Sequence, residues 1–199
     1  MPMVYLASVW DLLPQSVPTH FGLDGKANGY SSKTSLPWLL LFLGALPILL
    51  KYLLKIDPAK QSQLNQATLQ KIRLGIAVLT AFIGNLVVHS GVDNSLVLSK
   101  LLTPIMLIFM AFLGNYMGNL KPNYFAGVRT PWTLASETVW RKTHQLASKL
   151  MFGLCLAALL PVVFLPMPYD LLLASVAILI SAFYPIYYSY RIFKEEQNQ

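Results

Sequence analysis

Five blocks of this 199-residue chain are apolar over lengths close to what a helix needs to cross a bilayer: Leu36 to Leu54, Leu74 to Val92, Leu101 to Gly118, Leu150 to Leu165 and Leu171 to Tyr190. About 20 residues at a rise of ~1.5 Å cover the ~30 Å of hydrocarbon. With 55% hydrophobic and 12% charged positions, one water-soluble core cannot take in this much apolar surface. Lipid offers no hydrogen bonds, so the backbone must satisfy itself as helices or as a closed barrel. Barrel strands are short and alternate in polarity, whereas these blocks are continuously apolar. The reading is all-α: a polytopic transmembrane helix bundle of five full spans plus a partial or sixth N-terminal helix, forming one membrane domain over residues 1–199.

The connections carry the charge. Lys51, Lys55, Lys60, Lys71 and Arg73 surround the first, Lys121, Arg129, Arg141, Lys142 and Lys149 the third, and Arg191 with Lys194 follows the last span. Twelve of the fifteen basic residues thus fall in regions that the positive-inside rule makes cytoplasmic, leaving Lys26, Lys33 and Lys100 outside. The C-terminus is expected inside the cell and the segment 14–35 outside. The net charge of +7 is the charge of membrane-facing loops and gives no ground for direct nucleic-acid binding. The lone Cys155, inside a span, has no intrachain disulfide partner and is expected to pack as a small apolar residue.

The parts follow in order: 1–13 a partial helix, 14–35 an outer loop motif, 36–119 three spans, 120–149 a cytoplasmic motif with an interfacial helix, 150–190 two spans, and 191–199 a cytoplasmic tail. The first segment, MPMVYLASVWDLL, is too short to cross. It is read either as part of a first helix or as an interfacial segment, and it lacks the layout of a signal peptide. The outer motif, LPQSVPTHFGLDGKANGYSSK, is dense in turn formers and is expected to make a compact ordered loop rather than helix, with Gly22, Gly25 and Asn28-Gly29 free to take positive φ. Its candidate outward-recognition residues are His20, Gly22, Asp24, Gly25, Asn28, Gly29, Tyr30 and Lys33. The alternative is a turn that seals the bundle. His20 and Asp24, with His89 and Asp93 near the same face, match no standard metal spacing, so no metal or cofactor is expected.

The inner motif runs KPNYFAGVRTPWTLASETVWRKTH from Lys121 to His144. Thr130 is a plausible cap with Pro131 at the first helical position, opening a helix expected to reach Lys149 and run into the next span. Glu137 and Arg141, four apart, are positioned to pair, and Trp140 and His144 share a neighbouring strip. Trp132 and Trp140 suit the headgroup level, and Arg141, Lys142 and Lys149 an anionic leaflet. The motif reads either as a membrane anchor contacting lipids or as a docking surface for a cytoplasmic partner. Its candidate contacts are Asn123, Tyr124, Gly127, Arg129, Thr130, Pro131, Trp132, Glu137, Trp140, Arg141 and His144. No Walker-type glycine loop, H-E-x-x-H or assembled nucleophile and base is present, so an enzyme is not expected.

Within the spans, Asn85 and His89 stand four apart, as do Asn115 and Asn119, with Gly114 and Gly118 as a small-xxx-small pair. Close helix approach with cross-helix hydrogen bonds accounts for them. A polar path through Asn85, His89 and Asn115 is the other reading, belonging to a small transporter or lipid-handling protein. Tyr184, Tyr187, Tyr188 and Tyr190 read as an aromatic belt.

Taken together, the two polar motifs resemble the SdpI family of bacterial membrane proteins. The outer stretch looks like that family's N-terminal domain of unknown function, and NYFAGVRTPWTLASETVWRKTH like its most specific signature. The resemblance implies a non-enzymatic, multi-pass protein of the bacterial cytoplasmic membrane that gives immunity to a secreted peptide toxin. It also implies signalling in which a cytoplasmic repressor is drawn to the membrane.

Overall fold

The computed structural model describes residues 1–53, 66–93, 97–123 and 126–198. Tyr124, Phe125, Lys55, Lys60 and the end of the first apolar block at Leu54 lie outside the described residues. The chain runs α1 (Pro2–Ser8), β1 (Ser16–Phe21), β2 (Ala27–Ser32), α2 (Leu36–Leu53), α3 (Gln66–Val92), α4 (Val97–Met117), α5 (Pro131–Ala135), α6 (Glu137–Phe164) and α7 (Tyr169–Gln197). Short 3₁₀ turns at Trp10–Leu12 and Lys33–Ser35 lead into β1 and α2. Five of the helices, α2, α3, α4, α6 and α7, are long and apolar enough to cross a membrane, and each covers all but at most the last residue of one of the five blocks read from sequence. The protein is a multi-pass membrane protein of the all-α class.

Four helices outrun their apolar blocks, α4 by the four residues before Leu101. α3 starts eight residues before Leu74, α6 thirteen before Leu150, and α7 continues seven beyond Tyr190. Once a helix is nucleated, each further residue adds a hydrogen bond at little cost, so polar sequence at the membrane edge extends it.

Two apolar clusters organise the packing. Leu107 and Ala111 of α4 meet Met151, Cys155, Ala158 and Val162 of α6 and Ala174 and Ala177 of α7. Small residues let these backbones approach. A Cβ on Gly114 would lie 2.7 Å from the Phe152 nitrogen, and one on Gly118 3.3 Å from the Ser148 Cβ. Ser148 Oγ donates to the Gly114 carbonyl at 2.6 Å, a cross-helix bond of the kind that stabilises membrane bundles by about 1 kcal/mol. Cys155 is wholly buried here, as expected of a packing residue.

The second cluster joins Leu6 of α1, Leu13, Val17 of β1, Leu36 and Leu40 of α2 and Val88 of α3. It brings the outer motif onto the bundle, and the motif itself is a correction to the sequence reading. In place of a loop there is an antiparallel hairpin, paired Ser16 with Ser32, Val17 with Ser31 and Pro18 with Tyr30, then irregular before His20 meets Gly29. A two-stranded ribbon tolerates Pro18 because neither strand is central. Asn28-Gly29, a strong turn signal, lies within β2, and the reversal uses Gly25 at φ 75°. Asp24 Oδ1 accepts the Lys26 N–H at 3.1 Å, and the Gly22 N–H donates to the Lys26 carbonyl at 2.8 Å, so the turn closes two residues earlier.

Candidate functional site

The alternating helices place the two polar motifs at opposite ends of the bundle. α2 leaves the hairpin end, α3 returns to it, and α4 runs away again into the inner motif. α6 then carries the chain back and α7 brings it to the inner end, where Trp132 Nε1 donates to Ser189 Oγ at 2.5 Å.

At the hairpin end, alternation decides which residues are available. Val17 is fully buried and fits against Gly91 of α3, where a Cβ would come within 2.8 Å of it. The opposite face leaves His20, Asp24, Asn28 and Tyr30 exposed, joined by Leu23 and Lys26 at the tip. His20 Nδ1 and Asn28 Oδ1 are linked across the strands at 2.5 Å, the ring nitrogen donating to the amide oxygen. Gly29 lies under the His20 side chain, with 2.8 Å to that Cβ from any Cβ placed on it. Gly22 and Gly29 are half-buried.

Two of the predicted recognition residues have other work. Gly25 is buried in the turn. Lys33 is 9% exposed, its Nζ donating to the Leu13 carbonyl at 3.3 Å and sitting 4.6 Å from the centre of the Trp10 ring. An ammonium over an aromatic face and on a carbonyl is a clamp that ties β2 back to the N-terminal segment. Neither residue is presented for contact.

At the inner end the order is reversed, because the most distinctive polar residues are inside. Thr130 Oγ1 accepts the Thr133 N–H while Thr133 Oγ1 accepts the Thr130 N–H, a reciprocal cap with Pro131 at the first helical position, as predicted. The expected single helix to Lys149 is broken, however. α5 stops after five residues, Ser136 is extended, and its Oγ accepts the Val139 N–H to start α6. A second serine cap followed by Glu137 was the local signal for this restart. From there α6 does run unbroken into the span.

His144 is fully buried and stacked on Trp140, ring centres 4.0 Å apart. Its Nε2 accepts the Val128 N–H at 3.0 Å, so the proton lies on Nδ1, which donates to the Trp140 carbonyl at 2.9 Å. Trp140, 1% exposed, donates from Nε1 to the Leu120 carbonyl at 2.7 Å. Both expectations of an interfacial role for Trp140 are corrected: it fastens the end of α4 to α6. Gly127, at φ 105°, brings the backbone against the His144 ring, where a Cβ would overlap Nε2. Asn123, 2% exposed, holds the same turn, its Nδ2 donating to the Lys121 and Ala126 carbonyls and its Oδ1 accepting the Ala126 N–H at 2.7 Å.

Of the predicted contacts, those left exposed are Gly127, Arg129, Pro131, Glu137 and Arg141, with Lys142 and Lys149 beside them. Glu137 and Arg141 do not close the predicted ion pair; the two exposed side chains stay apart. Trp132 is half-buried, edge-on to Tyr190 at 5.4 Å between ring centres. Tyr184, Tyr187 and Tyr190 are exposed along the end of α7, where the belt was expected.

The intramembrane polar residues do not form one route. Asn85 Nδ2 donates back to the Ala81 carbonyl, and His89 Nδ1 bonds the Tyr5 hydroxyl at 3.1 Å. The two share a shallow cavity of about 340 Å³ with Tyr5, Phe82 and Leu86. Asn115 is exposed at the other end, beside Tyr116, which lies level with Lys71, fourteen residues or about 21 Å of rise from Asn85. Among the described residues no three His, Cys, Asp or Glu side chains gather as metal ligands.

Comparison with known proteins finds a family likeness for both motifs. Residues 119–189 match the SdpI/YfhL protein family, and residues 1–45 match a domain of unknown function, DUF1648. The Immunity protein SdpI of Bacillus subtilis (strain 168) is 34% identical over 90 residues, which cover 44% of this chain and 42% of that protein. The match therefore spans less than half the length of the curated relative. No solved structure matches. The likeness to the SdpI family first carried by the two polar motifs is thus shown by comparison, through the matches at residues 119–189 and 1–45.

Proposed function

We propose that this protein resides in the bacterial cytoplasmic membrane and protects the cell from a secreted antimicrobial peptide toxin. The carrying observation is the joint presence of the SdpI/YfhL region, the DUF1648 domain and a relative named as an immunity protein. The fold gives the reading a shape: one polar surface at each end of the bundle, linked by continuous helices. The hairpin face of His20, Asp24, Asn28 and Tyr30 meets the toxin outside, as the twelve-to-three bias of basic residues orients it. The C-terminus and the α5–α6 surface then face the cytoplasm.

On the inner side, Arg129, Glu137 and Arg141 form the contact for a cytoplasmic repressor, and Lys142 and Lys149 approach anionic lipid. Toxin bound outside alters this contact only through a difference in its affinity for two bundle arrangements. Expression in a toxin-sensitive strain tests the central claim. Survival should rise with membrane level of the protein, and unchanged survival at confirmed levels overturns immunity to that toxin. Arg141→Ala, at an exposed position, tests repressor recruitment: loss from the membrane fraction is expected while protection persists.

A further inference from the structure

A groove of about 490 Å³ opens sideways between α3 and α4. Leu74, Val78 and Phe82 form one wall, and Ile105, Ile108 and Phe112 the other. Its floor is set where the Phe112 ring lies against Gly75, a position with no room for a Cβ. The lining is apolar along its length except at one end, where Lys71 Nζ stands 5.7 Å from the centre of the Tyr116 ring. Lys71 is exposed, as are Leu74 (66%), Val78 (62%) and Ile108 (54%), so the groove is open to whatever surrounds the helices.

Its length identifies the occupant. Lys71 to Phe82 on α3 and Ile105 to Tyr116 on α4 are each eleven residues apart. At ~1.5 Å per residue this is about 16 Å, half of a ~30 Å hydrocarbon core, which sets Phe82 near the midplane when Lys71 lies at the headgroup edge. The groove is apolar from its Phe82 end up to Lys71, the one charged side chain in its lining. An apolar channel half a bilayer long with one cation at its headgroup end suits an acyl chain below an anionic headgroup. We propose that the α3–α4 groove binds one acyl chain of an anionic phospholipid from the leaflet on the Lys71 side, with the lipid phosphate paired to Lys71 Nζ. Tyr116, under the ammonium, holds the lysine toward the groove rather than along the helix.

Native mass spectrometry of the full chain in mild detergent, equilibrated with equal amounts of phosphatidylglycerol and phosphatidylcholine, reads this directly. Wild type should carry one lipid with about a 5-fold preference for phosphatidylglycerol, the contribution of one lysine near an anionic surface. Lys71→Gln, at an exposed site, should keep a bound lipid but bring the preference to about one. Val78→Trp with Ile108→Trp fills the groove and should lower lipid occupancy about 10-fold or more. An undiminished adduct in the filled variant, or an unchanged preference in Lys71→Gln, overturns the proposal. So does a wild-type dimer that the filled variant dissolves, since the occupant would then be a second copy. Should the filled variant fail to fold, the Lys71→Gln preference decides alone.

Discussion

The hairpin and the inner motif are both short polar segments between apolar helices, yet they use their polar residues in opposite ways. The hairpin is anchored by apolar side chains, Val17 and Leu13 against Gly91, and turns His20, Asp24, Asn28 and Tyr30 outward. The inner motif buries Asn123, Thr133, Trp140 and His144 and spends their hydrogen bonds on its own backbone. Distinctive residues therefore mean different things at the two ends. In the hairpin they are surface. In the inner motif most are architecture, and its exposed remainder of Arg129, Glu137 and Arg141 is chemically ordinary.

Substitutions that separate folding from contact would break or sharpen this contrast. The largest effect is expected from Gly127→Ala, which forces a left-handed φ on a residue with a Cβ and drives that Cβ into His144. A loss of at least about 2 kcal/mol should appear as a lower unfolding midpoint in detergent. His144→Leu comes next. It leaves the Val128 N–H and the Trp140 side-chain stack without their partner, at a cost of about 1–3 kcal/mol in the same assay. Trp140→Phe keeps an aromatic face for His144 but strips the bond to the Leu120 carbonyl and leaves a void where the indole was, for at least about 1 kcal/mol. At the hairpin, Tyr30→Ala should shift stability by no more than about 0.5 kcal/mol while reducing toxin protection in cells. Equal stability losses at Tyr30 and His144 would abolish the distinction. The smallest effect belongs to Glu137→Gln, which breaks no ion pair and loses only the favourable charge at the first turn of α6, about 0.3 kcal/mol in the same assay.

The spans were legible because continuous apolar length is a one-dimensional signal, and Thr130-Pro131 because a cap is encoded within four residues. The hairpin was hidden by Pro18 and Asn28-Gly29, which signal turns, and by β1 burying Val17 and Pro18 in succession, which breaks the alternation that marks a strand. Trp140 and His144 were paired correctly by spacing but assigned to the wrong environment. A four-residue interval places two side chains on one helix strip without saying whether that strip meets lipid headgroups or the end of α4. Ser189, the acceptor for Trp132, is fifty-seven residues away, and no local pattern announces it.

α6 passes from the Ser136 cap to Leu165 as one 28-residue helix, about 42 Å long. A rod of that length behaves as a lever. A tilt of only 5° at the hairpin end, about its middle, carries the opposite tip through roughly 2 Å. The Val128–His144 latch sits within two turns of that tip, so even slight reorientation of the rod strains the contacts that keep the Gly127 bend closed.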